Sequence, residues 1–148
     1  LGSRAWPAAP TVFSTPPREL LEIPFGPGMG LSAQSHVLGP RIIHVTRLAS
    51  SDGRIREVHP EVSFRALNGG RPLGHRKKSA AGAFERLELL ERAGIDLRSI
   101  DAAGAAPLDD VLDAAVAAWS AERIATGEAE SLPDPPEVLD GCPVAVWY

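Results

Sequence analysis

Apolar residues recur at helical spacing in the second half of the chain and at alternate positions in shorter stretches. Leu108, Val111, Leu112, Ala115, Val116 and Trp119 are spaced i, i+3, i+4, i+7, i+8 and i+11, which is the stripe of a helix with one buried face. The pattern predicts a helix from Pro107 to about Thr126, with Pro107 in the favoured first turn and Gly127 just past the end. A second helix is predicted over Ser79 to Ala93. Its buried stripe is Phe84, Leu87 and Leu90 with Ala83, its watery face Glu85, Arg86, Glu88, Glu91 and Arg92, and Gly94 closes it. Nearer the start, Ser32 is a plausible N-cap for a helix carrying Val37, Ile42, Val45 and Leu48, kinked near Gly39-Pro40 and ended by the turn Ser50 to Gly53.

The remaining elements are shorter. Arg54 to His59 alternates apolar and polar residues as a strand does, is stopped by Pro60, and puts Glu57 and His59 on one face. Glu61 to Leu67 reads as one or two helical turns ended by Asn68-Gly69-Gly70, and Pro143 to Tyr148 as a terminal strand. Leu132 to Pro136 reads as a proline-rich connection, and Pro7 to Gly30 as ordered loop with one short helix near Arg18 to Glu22. The class is α/β, in one domain over residues 1–148.

Charge and cysteine content narrow the partners. A net charge of -4 argues against bulk attraction to nucleic acid but leaves room for a local basic patch. A single cysteine, Cys142, excludes an intramolecular disulfide framework and a cysteine-based zinc site. No apolar run approaches the roughly 20 residues that span a bilayer, and no signal segment opens the chain, so the expected location is cytoplasmic, with no membrane partner. The start at Leu1 suggests part of a longer chain.

Candidate chemistry centres on Asp109, Asp110 and Asp113. At about 100° per residue Asp113 lies near both of the others, and it borders the apolar stripe. Asp109 and Asp110 equally suit the positive end of the helix dipole, an explanation that covers Asp113 poorly. Two-metal phosphoryl transfer needs several carboxylates around divalent cations about 4 Å apart, and carboxylate oxygens suit Mg2+ or Mn2+. Glu57, at a strand end, is the further acid available; spacing alone leaves open whether it meets Asp110 and Asp113.

Four ordered blocks carry a resemblance. EVHPEVSF from Glu57, RKKSAAGAFERLELLERAGI from Arg76, DDVLDAAVAAWSAERIATGEAESLP from Asp109 and the closing DGCPVAVWY resemble a bacterial family of predicted RNase-H-like nucleases known as domain of unknown function four-two-nine. Leu1 to Arg4 and Thr11 to Pro17 are similar to that family's arginine-rich turn and valine-phenylalanine-proline stretch. The resemblance implies an RNase-H-like, resolvase-like α/β fold with catalytic, metal-binding carboxylates at Glu57, Asp110 and Asp113, and Mg2+ or Mn2+ as cofactor. It matches Lys77 and Lys78 to a lysine pair able to approach a phosphate, a role no better founded than that of a solvated charge run. His59 and Glu61 match motif positions, with His59 equally suited to a structural hydrogen bond, and Arg86 is expected to form ion pairs on the helix surface. The family's glycine-valine-aspartate and aspartate-isoleucine-proline strands have no counterpart here. The expected fold therefore lacks its N-terminal strands and their metal-bridging aspartate, and leaves an apolar face for a second copy or a further segment to cover.

The function implied is a metal-dependent nuclease that hydrolyses nucleic-acid phosphodiesters with metal-activated water. The alternative is a noncatalytic domain serving assembly, nucleotide binding or protein binding, and a small-molecule enzyme using the same acids is a third class.

Overall fold

The computed structural model describes residues 23–26, 33–97, 104–139 and 142–148. The short helix expected near Arg18 to Glu22, the Ser32 cap and the two N-terminal resemblance blocks lie outside them. The described elements are α1 (Ala33–Val37), α2 (Gly39–Ser51), β1 (Glu57–Val58), α3 (Pro60–Leu67), α4 (Ala80–Arg92), α5 (Leu108–Thr126), β2 (Ser131–Leu139) and β3 (Cys142–Trp147). This is an α/β arrangement with a small mixed sheet of order β1-β3-β2. β1 runs parallel to β3, with Glu57 opposite Val146 and Val58 opposite Trp147. Chain contacts separate residues 1–56 and 138–144 from residues 57–137 and 145–148.

The second of these units is built on α3, α4 and α5, which pack against one another. Phe64, Leu89, Leu90, Leu112 and Val116 form its core, with Leu67, Leu73, Leu87 and Trp119 at the margin. Helix boundaries follow local chemistry. The Ser79 hydroxyl accepts the Gly82 amide at 3.0 Å to start α4, a serine N-cap. Gly127, at φ 76°, closes α5 by donating to the Arg123 and Ile124 carbonyls in the left-handed conformation that favours glycine. Ser63 of α3 and Ser120 of α5 are buried and share a hydrogen bond of 2.8 Å, so this helix contact is made by small polar side chains satisfied by one another.

In four places the structure departs from the sequence pattern. Phe84, expected inside, is 70% exposed, whereas Arg86, expected on the watery face, is only 2% exposed. The buried line of α4 is Gly82, Arg86, Leu89 and Leu90, rotated from the predicted one because the backbone of Arg76 lies against Gly82. A Cβ there would stand 2.0 Å from the Arg76 carbonyl oxygen. Leu108 is exposed at the first turn of α5, and the buried positions are Leu112, Val116 and Ser120.

The expected strand Arg54 to His59 shortens to Glu57–Val58, because Asp52 accepts from both the amide (3.0 Å) and the Nε (2.9 Å) of Arg54 and so holds the preceding residues in a turn. Finally, the proline-rich segment expected to be a connection lies within β2. β2 is a sheet edge, the one kind of strand position where residues without an amide proton are tolerated.

In the other unit, α1 and α2 are separated at Leu38, and Pro40 occupies the first turn of α2, in keeping with the kink expected at Gly39-Pro40. The side chains of Thr46 and Ser50 bond back to the carbonyls of Ile42 and Thr46, and His36 Nε2 lies 2.6 Å from the Ile23 carbonyl oxygen.

Candidate functional site

Helix α5 opens with Asp109 and Asp110 in its first turn and presents Asp113 in the next. Asp110 is exposed, and Asp113 half-buried beside the core residue Leu112. Asp113 Oδ2 accepts a hydrogen bond from Lys77 Nζ at 3.0 Å, while its Oδ1 is buried with no partner. Lys77 sits in the stretch between α3 and α4, two residues before the Ser79 cap. The hydrogen bond to Asp113 holds the lysine above its ordinary pKa, opposed by burial and supported by the charges of Asp113, Glu61 and Asp109. The ammonium bonds Asp113, and the charges of Glu61 and Asp109 add to the negative field around it.

The neighbouring pair sets its cation more deeply. Glu61, in the first turn of α3, accepts from Arg86 Nη2 through both oxygens, at 2.9 and 2.8 Å. Arg86 Nη1 donates to the Gly82 carbonyl at 3.1 Å, and the guanidinium carbon lies 5.2 Å from the centroid of the Phe64 ring. The Nε of Arg86 is buried without a partner. This is a cation inside the core, held by one carboxylate, one carbonyl and an aromatic face; the surface ion pair expected of Arg86 is corrected accordingly.

Glu57 belongs to β1. Burial pushes its carboxyl pKa up, although part of the residue is exposed to solvent. His59 is half-buried at the N-cap position of α3, with extended backbone. Lys78 is exposed.

Among the described residues, no three or more His, Cys, Asp or Glu side chains gather into a group able to hold a metal ion. Glu57, Asp110 and Asp113 are therefore not brought together as a ready ligand set. Of these three, Asp113 has one oxygen on a positive charge and the other buried and unsatisfied. Sequence reasoning singled out Asp113 and Lys77 but not their bond to each other, and it left Asp109 divided between the helix dipole and the acidic cluster. The Glu61–Arg86 pair was missed because hydrophobic periodicity assigns every arginine to the water. The one available signal was Gly82, four residues before Arg86 on the same helix face.

A surface cavity of about 260 Å³, lined by residues including Asn68, Arg71, Leu89 and Arg92, involves none of these acids. Among the described residues no helix is long and apolar enough to cross a membrane.

No curated protein and no solved structure matches this sequence. A family model described as "Protein of unknown function (DUF429)" matches residues 5–138, a span that includes the whole of α3, α4 and α5 and every acid discussed above. With the match covering most of the chain, the protein belongs to the DUF429 family.

Proposed function

We propose that this chain is a metal-dependent nuclease-type domain of RNase-H-like ancestry, hydrolysing nucleic-acid phosphodiesters. Its acidic residues are Glu57, Asp110 and Asp113, its ion Mg2+ or Mn2+, and its location the cytoplasm. The observation that carries this reading is Asp113: a half-buried carboxylate on the last helix, with one oxygen on an ammonium and the other buried and unpartnered. The resemblance of the four motif blocks, in their order, to predicted RNase-H-like nucleases supports it. In this chemistry the ion supplies water activation and charge neutralisation. The carboxylates do not stand as a complete ligand set, so their assembly is part of what the proposal requires. Lys77, Lys78 and His59 are the groups assigned to the nucleic-acid backbone.

A panel of single strands, duplexes, RNA–DNA hybrids and branched junctions, incubated with Mg2+, Mn2+ or chelator, tests it. Cleavage of at least one substrate with metal, lost in Asp113→Asn, is the expected result. No cleavage of any substrate, or cleavage undiminished in Asp113→Asn, defeats it.

One observation favours a second reading, that of a noncatalytic domain for assembly or for nucleotide or protein binding, alone or as a homo-oligomer. Both Asp113 and Glu61 are already paired with cations of the same chain, as in a cluster whose task is to hold helices together. An inert result across the substrate panel, with unchanged folding, supports this alternative.

A further inference from the structure

We infer that the segment from Arg71 to Lys78, with Phe84 beside it on α4, is a docking surface for single-stranded nucleic acid. The inference rests on the nuclease reading for the class of partner, and carries it beyond the lysine pair to Arg71, Arg76 and Phe84. It needs no metal ion.

Residues 71–78 hold Arg71, Arg76, Lys77 and Lys78, four of the chain's 15 lysines and arginines, together with His75 and without one Asp or Glu. In a chain of net charge -4, this is the local basic patch for which the overall charge leaves room. Lys77 is turned to Asp113. Arg71, Arg76 and Lys78 are exposed and have no ion pair among the described residues. The acid of α4 that meets the segment, Glu85, is already occupied: it accepts from the amides of Gly74 and His75, at 2.8 and 3.1 Å, and lies 3.3 Å from His75 Nδ1. These bonds also fasten the backbone that carries the cations. At Arg76 the carbonyl accepts from the amide and hydroxyl of Ser79, at 2.9 and 2.7 Å, and lies where Gly82 leaves no room for a Cβ. A fixed backbone lowers the ordering cost of binding. Because α4 turns Gly82, Arg86, Leu89 and Leu90 to the core, Phe84 is left 70% exposed, one residue before Glu85. An open aromatic face beside unpaired cations suits a strand that alternates bases with phosphates. An acidic peptide would use the cations and leave the ring idle, and a duplex hides its base faces in the stack.

The test is fluorescence anisotropy of a labelled oligothymidylate of about 16 nucleotides, titrated with the full chain in EDTA. Wild type is expected to bind, with affinity falling as salt rises. Arg76→Gln and Lys78→Gln should each lower the slope of log affinity against log salt by about 0.7, the single-strand value for one phosphate. Phe84→Ser should weaken binding by about fivefold or more and leave that slope unchanged. Arg92→Gln makes the same charge change at the far end of α4 and should behave as wild type. Circular dichroism of each variant confirms that it is folded; should Arg76→Gln unfold, Lys78→Gln carries the charge test alone. Absence of binding at low salt, an equal loss in Arg92→Gln or an unchanged affinity in Phe84→Ser overturns the inference. Displacement by polyglutamate as effective as that by unlabelled oligothymidylate overturns it in favour of an acidic protein partner. Metal-dependent cleavage by a protein whose binding ignores these residues would leave the nuclease reading standing, whereas binding through them with an inert substrate panel would defeat that reading and leave the docking surface.

Discussion

Two ion pairs of the same helical unit, Arg86 with Glu61 and Lys77 with Asp113, differ mainly in how deeply the cation is buried. In the first the cation is in the core, 2% exposed, and the acid reaches water at 43%. In the second both partners are partly solvated, at 37% for the lysine and 23% for the aspartate. A buried charge that loses its partner has nowhere to find solvent, whereas a half-exposed one is rehydrated. Loss of the Glu61 carboxylate would therefore leave a buried charge unpaired, whereas the Lys77 pair is a contact that can open without unfolding the core.

The largest expected effect breaks the first pair from its acid side. Glu61→Ala leaves the Arg86 guanidinium buried with the Gly82 carbonyl and the Phe64 ring alone, and should cost about 3 kcal/mol in urea unfolding. Arg86→Met removes the buried charge and fills the same space with an apolar chain, while Glu61 turns to water; its cost should be well below that of Glu61→Ala. If Arg86→Met proves the more damaging of the two, burial does not set the hierarchy and the comparison fails.

Gly82→Ala should have an intermediate effect and touch both pairs. On an exposed helix face alanine would gain about 1 kcal/mol over glycine. Here the new Cβ meets the Arg76 carbonyl oxygen at 2.0 Å and its carbon at 2.7 Å, so backbone must move. A net loss of about 1–3 kcal/mol is expected in thermal or urea melts, with the Lys77–Asp113 contact loosened because Arg76 immediately precedes Lys77. A stabilised Gly82→Ala protein would show that α4 and the stretch before it are not held in this register.

These residues also mark how far the sequence was legible. The three helices of the core and the terminal strand could be read from spacing and end signals: Ser79 caps α4, Gly127 closes α5, and Leu112 and Val116 are buried as their periodicity demands. The rotation of α4 was illegible, because it is set by a backbone collision at Gly82 and by an arginine that is stable inside only when Glu61 is beside it. Neither is a property of hydrophobic pattern. β2 was hidden for a related reason, since Pro133, Pro135 and Pro136 signal a linker unless the strand's edge position is known. Of the candidate site, Asp113 and Lys77 could each be named from sequence, but their pairing joins segments 36 residues apart, and no local rule reaches that distance.

Glu57 should matter least, because burial rather than a bound countercharge acts on its carboxyl. Its carboxyl pKa is raised in the folded chain, so the native state holds the proton more tightly than the unfolded one. Stability from this group is then fully present below the unfolded value, about pH 4.3, and is lost as pH rises through the higher folded value. Glu57→Gln, which mimics the protonated form, should therefore be slightly more stable than wild type at neutral pH. The two proteins should converge as the pH falls below about 4. Lys77 has the same sign for a different cause, because its pKa is raised by the bond to Asp113; its contribution is fully present below about pH 10.4 and is lost at still higher pH. Urea midpoints of wild type and Glu57→Gln across the acid range separate the two origins. Should Glu57→Gln instead lower stability at neutral pH, the ionised carboxylate has a favourable partner, and Glu57 then joins the ion-paired acids from which burial now sets it apart.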